Sequence, residues 1–344
     1  MKTLFKTMVI SLGLLATIKN TYAQDIHFSQ FFEAPLLRNP SLAGLFDGDL
    51  RLQLVYRDQW KSVTPNSFRT ASINGEYKMA VGGDDFFTVG AQILLDKAGS
   101  AVQSTTQILP VVSYHKSLST QRTSYISLGF MGGWVQKRVD FTKITTNNQY
   151  YNDNWNAGAP TGEAFTNPTI GYLDGSVGMN FNTSIGSDDK HMFFIGAAYH
   201  HINRPKTSFY KNAAVELKPK YVYSAGFKYV IDDYRSFTLH QDVFIQGGSR
   251  EIIGGGWYSN ILGDFPDDPA YVLHGGLFIR YKDAVIPVVK MDIHSFSVTL
   301  SYDINTSQLK TASQMRGGFE LGLAFKSFSK NNSSRDRVLC PVRF

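Results

Sequence analysis

This sequence has almost no cysteine and no clusters of basic residues. Its 344 residues include one cysteine, Cys340, which cannot form an intrachain disulfide. The same count excludes zinc sites built from pairs of cysteines. Lysine and arginine form no long runs, so the electrostatic footprint of a nucleic-acid-binding protein is missing. We therefore expect neither a disulfide-stapled domain nor a nucleic-acid partner.

Long apolar runs are also missing, except at the start of the chain. There a basic beginning with Lys2 and Lys6 leads into about 12 apolar residues, short of the roughly 20 that a membrane-spanning helix needs. The tripeptide before Gln24 fits a small-x-small cleavage site. We predict a signal peptide over residues 1–23. Its removal takes away Lys2, Lys6 and Lys19 and no acidic residue, which lowers the formal net charge from +6 to +3.

The rest of the chain alternates between apolar and polar residues. In "HSFSVTLSYDI" the apolar positions are Phe296, Val298, Leu300, Tyr302 and Ile304, and the polar ones are Ser295, Ser297, Thr299, Ser301 and Asp303. The stretches "GFELGLAFKSF", "DLRLQLVYRDQW" and "YVYSAGFKYVI" repeat the pattern, with Val55 as an exception. Segments of about 10 to 13 residues exceed the usual strands of soluble sheets and suit tilted strands that span a bilayer. The sequence predicts an all-β, transmembrane antiparallel β-barrel.

The alternating segments are numerous enough to close such a barrel. We place about 14 strands, an even number as in bacterial outer-membrane barrels. They are predicted near residues 49–60, 67–78, 85–96, 102–116, 122–138, 169–184, 190–203, 219–231, 235–246, 250–262, 270–281, 284–290, 293–304 and 317–328. The segment 284–290 is the weakest prediction, because Pro287 interrupts it.

The lengths of the predicted connections favour a membrane barrel over the alternative, a soluble two-sheet protein. The even-numbered connections are short and rich in turn residues, whereas the long ones, near 139–168, 204–218 and 305–316, are all odd-numbered. Outer-membrane barrels place short turns on the periplasmic side and long loops outside. A soluble sandwich has no reason to sort its loops in this way.

The predicted inner face carries scattered charges that we expect to pair across the lumen. They are Arg51, Arg57, Lys228, Arg280, Glu320 and Lys326. Paired ions satisfy one another where side chains fill a barrel. Because this many strands also allow a wide pore, the sequence leaves open whether the lumen is open or plugged.

Residues suited to catalysis or metal binding are few. The candidates are His200, His201, His240, Asp242 and His274, with Ser224, Ser297 and Ser301 on plausible lumen faces. The GxSxG nucleophile elbow is missing from the sequence. Adjacent residues on a strand point to opposite faces, so His200 and His201 are not expected to chelate one metal together. We expect no enzymatic activity and no metal or other cofactor.

A segment of a different kind lies between the signal peptide and the first predicted strand. Residues 24–48 are rich in aromatic and apolar side chains without strand alternation or helical spacing, and Pro35 and Pro40 break the segment. An apolar segment with no lipid-facing pattern usually marks a contact. We interpret it as a plug of the lumen or as a contact for a periplasmic partner. The barrel is then expected over residues 49–328, followed by a periplasmic tail at 329–344.

Several short motifs occur in an order that is typical of one family. The stretch "DIHFSQFFEAPLLRNPSLAG" is followed by "YRDQW", and later by "LDKAG", "HHINRP", "SYD", "GGFELGLAF" and a C-terminal "CPVRF". The N-terminal signature falls on Asp25, Phe28, Ser29, Gln30, Pro35, Leu36, Asn39, Pro40, Ala43, Gly44, Tyr56, Arg57, Gln59 and Trp60. In these motifs the chain resembles the PorP/SprF family of Bacteroidetes outer-membrane proteins, although Ser41 stands where that family commonly has alanine.

The resemblance implies a non-enzymatic barrel of the type IX secretion system in the outer membrane of a Gram-negative bacterium. Its implied partners, besides membrane lipid, are periplasmic and outer-membrane proteins of that machine. Some relatives support gliding motility by helping to export or anchor surface adhesins. A passive solute channel is the alternative function.

The same resemblance indicates which residues to examine. The candidate partner-contact or plug residues are Phe28, Ser29, Gln30, Pro35, Leu36, Asn39, Pro40, Gly44, Tyr56, Arg57 and Trp60. The candidate tail contacts are Cys340, Pro341 and Phe344.

Overall fold

The computed structural model describes residues 25–327 with short gaps. The gaps are residues 62–63, 65, 100–102, 152, 157, 163–166, 187, 211–214, 265, 267–268 and 309. The predicted signal peptide (1–23) and the predicted tail (329–344), with Cys340, Pro341 and Phe344, lie outside the described residues.

Fourteen antiparallel strands close into a barrel in the described part of the chain. They are β1 Leu50–Gln59, β2 Phe68–Gly82, β3 Asp85–Ala98, β4 Gln103–Ser117, β5 Ser124–Arg138, β8 Thr169–Ile185, β9 His191–His200, β10 Lys220–Val230, β11 Arg235–Gln246, β12 Ser249–Leu262, β13 Tyr271–Arg280, β14 Ala284–Ile293, β15 Phe296–Asn305 and β16 Arg316–Ser327. The first and last strands pair from Leu50 opposite Ser327 to Gln59 opposite Gly318. Closure leaves the barrel sheet without an unpaired edge, which confirms the predicted fold class.

The alternation in sequence becomes an outer and an inner face. On β15 the side chains of Leu300 and Tyr302 are exposed outward, whereas Thr299 and Asp303 are almost completely buried inside. Apolar residues on the outer face suit a lipid environment, and the small polar residues between them line the lumen. The facing predicted for this strand is confirmed.

In the described part of the chain, helical structure is limited to single turns, and no helix there has the length and apolar character needed to cross a bilayer. The 3₁₀ turns are Phe31–Glu33, Pro40–Leu42, Phe141–Lys143 and Asn147–Gln149, and the α-helical turns are Pro35–Arg38 and Lys310–Ser313. A separate two-stranded hairpin, β6 Tyr150–Tyr151 and β7 Asn154–Trp155, lies in the longest loop.

The long connections all meet at one end of the barrel. Loops 139–168, 201–219 and 306–315 are odd-numbered connections, as predicted, and we call this end the long-loop end. Tight turns such as 83–84 and 294–295 close the opposite end, which we call the short-turn end. Outer-membrane barrels place short turns of this kind in the periplasm.

The strand with Pro287 is longer than predicted and reaches Ile293. Pro287 is aligned with Leu277 of β13, but the ladder between β14 and β15 lacks pairs at Ile286 and Pro287. Proline has no N–H to donate, so the strand continues past an interrupted ladder instead of ending there.

The core of the molecule is the barrel lumen. Three apolar clusters lie within it, and each includes residues that precede β1. Phe31 packs against Trp257 and Phe278, and Leu36 packs among Val111 and Met131. The chain before the first strand therefore packs against apolar patches of an otherwise polar inner face.

Candidate functional site

Residues 25–48, which we call the plug segment, run through the lumen from one end of the barrel to the other. At the long-loop end, the backbone N–H of Asp25 donates to Oε1 of Gln246, the last residue of β11 (2.8 Å). At the short-turn end, Asp49 N–H donates to the carbonyl of Ser327, the last residue of β16 (2.8 Å). The segment occupies the whole depth of the barrel.

An ionic cluster holds the upper end of the plug segment at the long-loop end. Asp25 lies 3.3 Å from Nε2 of His201 and 3.5 Å from Nζ of Lys220, and His201 Nδ1 lies 2.7 Å from Asp174. Burial opposes protonation of His201, but the hydrogen bonds to Asp174 and Asp25 outweigh it and raise its pKa to about 9. Burial likewise disfavours the Asp25 carboxylate, but Lys220 and His201 outweigh it and hold its pKa well below the ordinary value.

The "FSQ" motif is bound by one buried carboxylate of the wall. The backbone N–H groups of Ser29 and Gln30 each donate to Glu320 at 2.7 Å. The Gln30 side chain donates to Ser301 Oγ and to the Glu320 carbonyl, both at 3.0 Å. Arg57 Nε lies 3.3 Å from the same carboxylate. Because all of these groups are buried, each polar atom depends on its partner rather than on water.

Two arginines link this motif to a second wall carboxylate. Arg57 donates from Nη1 to the carbonyl of His27 (2.8 Å) and lies 3.2 Å from Asp303. Arg280 donates to Ser29 Oγ (3.0 Å) and to Asp303 (2.5 Å). The plug segment, β1, β13 and β15 therefore share one buried hydrogen-bonded network.

Deeper in the lumen, the plug segment contributes charges of its own. Glu33 accepts from Lys290 Nζ (2.8 Å), Thr299 Oγ1 (2.9 Å) and Gln53 Nε2 (3.2 Å). These three side chains come from three different strands. A buried carboxylate with this many donors fixes its segment in one position.

Arg38 makes the matching contact with the other side of the wall. Its Nε and Nη2 donate to the two oxygens of Asp242 at 2.6 and 2.7 Å, a bidentate geometry. The guanidinium also lies 4.9 Å above the ring of Phe31. Both members of this ion pair are almost fully buried, so removing either leaves an uncompensated charge.

The Asn-Pro turn rests on a patch of wall that has no side chains. Gly129 and Gly178 are directly paired across β5 and β8. A Cβ added to Gly129 would lie within 3.0 Å of Pro40 and Ser41, and one on Gly178 would collide with Asn39. Only glycine permits this approach of two backbones. We call this pair of residues the glycine cradle.

Asn39 joins the turn to the same strands. Its Nδ2 donates to the carbonyls of Met179 (3.0 Å) and Ala197 (3.2 Å). Its Oδ1 accepts from the backbone N–H and the hydroxyl of Ser41, which caps the 3₁₀ turn that begins at Pro40. Every polar atom of this amide side chain is used.

The lower end of the plug segment is held near the short-turn end. Gly44 adopts a left-handed backbone (φ 82°), and its N–H donates to Glu76 at 2.8 Å. Arg51 donates to both oxygens of the same carboxylate (2.8 and 2.9 Å). Lys78 donates to the carbonyl of Phe46. The plug segment is thus bonded to the wall at every level of the lumen.

The structure brings most of the predicted site residues together, but two lie elsewhere. Phe28, Ser29, Gln30, Pro35, Leu36, Asn39, Pro40, Gly44 and Arg57 all lie in the lumen. Tyr56 lies on the outer face of β1 beside lumen-facing Arg57, because neighbours on a strand face opposite sides. Trp60 follows the end of β1 at the long-loop rim and packs on Phe68 (5.1 Å between ring centroids). Neither contributes a side chain to the plug contacts.

Sequence reasoning placed Glu320 in the lumen as a charge that pairs across it, but it did not predict that wall carboxylates bind the plug segment. Glu76, Asp242, Asp303 and Glu320 each bond to it or to its neighbours. Val55, the exception to the alternation of β1, packs against Phe28 and Ala34 of the plug segment. The sequence did contain a signal for these carboxylates. A charged side chain on a strand face whose other residues are small and neutral requires a partner inside the lumen.

One expectation about the histidines was wrong. His200 and His201 are both buried within the barrel instead of pointing to opposite faces. Strand β9, predicted to reach residue 203, ends at His200, and His201 takes a left-handed backbone (φ 59°) that turns its ring inward. Among the described residues, no group of three or more His, Cys, Asp or Glu side chains is placed to hold a metal ion.

One arrangement has the composition of a hydrolytic triad. His274 lies 2.7 Å from Ser259 Oγ and 3.2 Å from Asp292. However, Ser259 and His274 are simply opposite each other on paired strands, and the same cross-strand pair recurs at His115 with Ser127 and at His200 with Ser176. A pairing repeated around the wall favours a structural role, since it satisfies buried polar groups of neighbouring strands.

These contacts define a class of protein, a transmembrane β-barrel plugged by its own N-terminal segment. The sequence model of the family described as "Type IX secretion system membrane protein PorP/SprF" matches residues 20–325. The chain belongs to that family, which confirms the resemblance seen in its motifs. Among curated proteins, none has a significantly similar sequence.

Solved structures with similar barrels are distant in sequence. The toluene transporter TbuX of Ralstonia pickettii shares 11% identity at a TM-score of 0.49, over 86% of this chain and 94% of that chain. A FadL homologue of Pseudomonas aeruginosa shares 9% at 0.47, over 86% and 94%. The toluene transporter TodX of Pseudomonas putida shares 7% at 0.47, over 85% and 91%.

Proposed function

We propose that this protein is a closed outer-membrane scaffold of the type IX secretion system in a Gram-negative bacterium. In this role it supports the export or surface anchoring of proteins, gliding adhesins among them, and it catalyses no reaction. Family membership supports a place in the secretion machine. The scaffold role rests on what fills the barrel.

The observation that carries the proposal is the plug segment. A passive channel needs a continuous aqueous path, yet this segment runs through the lumen and is bonded to the wall from Asp25 to Asp49. Buried ion pairs such as Arg38 with Asp242 resist displacement, because separating them leaves charges uncompensated. These contacts favour a scaffold over a solute channel.

Since the plug segment is buried, we assign partner contacts to the two ends of the barrel. The short-turn end faces periplasmic proteins of the machine, and the long-loop end faces the cell surface, where a secreted adhesin would be held. The hairpin β6–β7 exposes Tyr151 and Trp155 at that end. Exposed aromatic side chains are enriched at protein contacts.

The first experiment is affinity purification of the tagged barrel from detergent-solubilised outer membranes, with mass spectrometry of the co-purifying proteins. Secretion-system components or a large surface adhesin are the expected result. A barrel that purifies alone would contradict the proposed role in the secretion machine.

Conductance in planar bilayers separates the scaffold from the channel. The wild-type protein is expected to conduct no ions steadily, whereas a variant without residues 25–48 is expected to conduct. Heat-modifiable migration on gels shows whether that variant has folded. Steady conductance of the wild-type protein would contradict the scaffold role and favour a passive channel, regardless of how the variant without residues 25–48 behaves.

A further inference from the structure

A cavity of about 70 Å³ lies between the plug segment and the wall. One buried water needs about 10–15 Å³, so the cavity holds a group several times larger. Its lining includes Arg51 and Lys326, which lie one residue from the short-turn ends of β1 and β16. The cavity therefore extends toward the short-turn end of the barrel.

The lining of this cavity is amphipathic. Its apolar part comes from Phe32, Leu42, Phe46 and Trp257. Its polar part is mainly cationic, with Arg38, Arg51, Lys290 and Lys326 facing the single carboxylate of Glu33. Aromatic walls with a few convergent charges are typical of sites for small amphipathic ligands.

The cations differ in whether a partner neutralises them. Arg38 pairs with Asp242, Arg51 with Glu76, and Lys290 with Glu33, each at 2.8 Å or less. The Lys326 ammonium has no ion-pair partner among the described residues. The cavity thus presents one positive charge without a direct ion pair, since Asp47 and Asp292 act on it only from a longer distance.

The position of Lys326 makes this unpaired charge costly. It lies directly opposite Arg51 in the ladder between β1 and β16, and Lys290 lines the same cavity. Like charges opposite each other on paired strands destabilise a sheet. A bound anion would offset the repulsion that remains after Arg51 and Lys290 pair with their own carboxylates.

We propose that this cavity binds a small monocarboxylate with an apolar body, which enters from the short-turn end. The carboxylate accepts hydrogen bonds from Nζ of Lys326, and the alkyl or aryl part packs on Phe32, Phe46 and Trp257. The size of the cavity limits the buried part of the ligand to about one aromatic ring or a short alkyl chain. This ligand site is independent of the proposed secretion role, because it concerns the occupancy of the lumen and not its partners.

Trp257 gives the site a direct optical probe. The full-length protein in lipid nanodiscs is titrated with 4-bromobenzoate, whose bromine quenches indole fluorescence on contact. The signal of a Trp257→Phe variant is subtracted to isolate the cavity. We expect saturable quenching of Trp257 by the acid and at least tenfold weaker binding of its methyl ester, which has the same ring and no charge.

Lys326 variants test which group recognises the carboxylate. Lys326→Gln is expected to weaken binding of 4-bromobenzoate about tenfold, which corresponds to about 1.4 kcal/mol. Lys326→Arg, which keeps the charge, is expected to retain binding. Lys282→Gln, in an exposed turn at the long-loop end, is the matched control and is expected to leave binding unchanged.

Three results would overturn the proposal. They are equal binding of acid and ester, quenching that persists in Trp257→Phe, and an unchanged affinity in Lys326→Gln. The comparison of acid with ester uses the wild-type protein alone, so it decides the question even if a variant fails to fold.

Discussion

The wall of this barrel and the plug segment inside it are stabilised in different ways. The wall is a continuous ladder in which each strand bonds to two neighbours, and its faces repeat with period two. The plug segment has only single helical turns, and its polar groups bond to side chains of many strands. Arg38, for example, reaches Asp242, which lies 204 residues away in sequence.

This difference determines where a substitution should matter. In the wall, backbone bonds are indifferent to side-chain identity, so the main requirement is the correct polarity on each face. In the plug segment, single side chains hold the chain in place, and several of them are buried charges. Contacts between the two regions are therefore expected to be the most sensitive positions of the molecule.

The largest effect is expected at Glu320, where the wall binds the "FSQ" motif. Glu320→Ala leaves two buried N–H groups without their acceptor and takes away one of the two carboxylates that Arg57 contacts, and we expect a loss of about 3–5 kcal/mol in the free energy of unfolding. Urea unfolding in detergent, followed by heat-modifiable migration on gels, measures it. The control is Lys190→Ala, which removes an exposed ion pair with Asp233 and should cost less than about 1 kcal/mol. A Glu320→Ala barrel as stable as the wild type would show that the motif contact is dispensable.

A charge on the outer face of the wall is expected to have the next largest effect. Leu300→Arg or Leu323→Arg should destabilise the barrel by about 2–4 kcal/mol, because the side chain faces the hydrocarbon region. Unfolding from lipid vesicles provides the measurement. Tyr151→Arg, on a loop residue that is 76% exposed, should be neutral. If all three variants behaved alike, exposure to water and exposure to lipid would be indistinguishable, and the membrane-facing assignment would be wrong.

A substitution in the glycine cradle is expected to disturb the plug segment without unfolding the wall. Gly129→Ala adds a methyl group that collides with the backbone at Pro40 and Ser41, so the plug segment must shift, at a cost of about 1–3 kcal/mol. Ion conductance and protease access to residues 25–48 are expected to rise while the wall stays folded. Gly275→Ala is the matched control, because a Cβ there meets no atom within 4 Å. Equal conductance of the two variants would argue against the plug segment as the barrier.

The smallest effect is expected at the upper end of the plug segment, where His201 is the titrating member of the cluster that holds Asp25. The pKa of His201 is raised from 6.5 to about 9, so its contribution is complete below pH 6.5 and is lost as the pH rises through 9. A spin label on Ile26→Cys, in a chain with Cys340→Ser, should gain mobility across that range. His201→Gln should abolish the transition, while Lys220 keeps Asp25 partly held in both proteins. A pH profile that His201→Gln leaves unchanged would assign the transition to another group.

The wall was largely predictable from sequence because its rules are local. Alternation on β15 gave the correct facing of Leu300 and Thr299 without knowledge of any neighbour, since period two is a property of the extended chain. Strand ends were less certain: β9 stops at His200 because of a left-handed residue that no pattern announced. The sequence showed that the plug segment differs from the strands, but it did not show where the segment lies. An apolar segment interrupted by prolines can fill a lumen or bind a partner protein.

The contacts of the plug segment depended on closure of the barrel. Ser29 meets Glu320 across 291 residues of chain, and this contact exists only because β16 pairs with β1 and encloses the lumen. By itself, the sequence determined a barrel of about 14 strands with its lipid face, through local periodicity and a family signature. The tertiary structure alone decided that the lumen is filled and that Lys326 lies beside a cavity without a direct ion pair among the described residues. Both depend on which distant side chains a closed wall brings to the same depth.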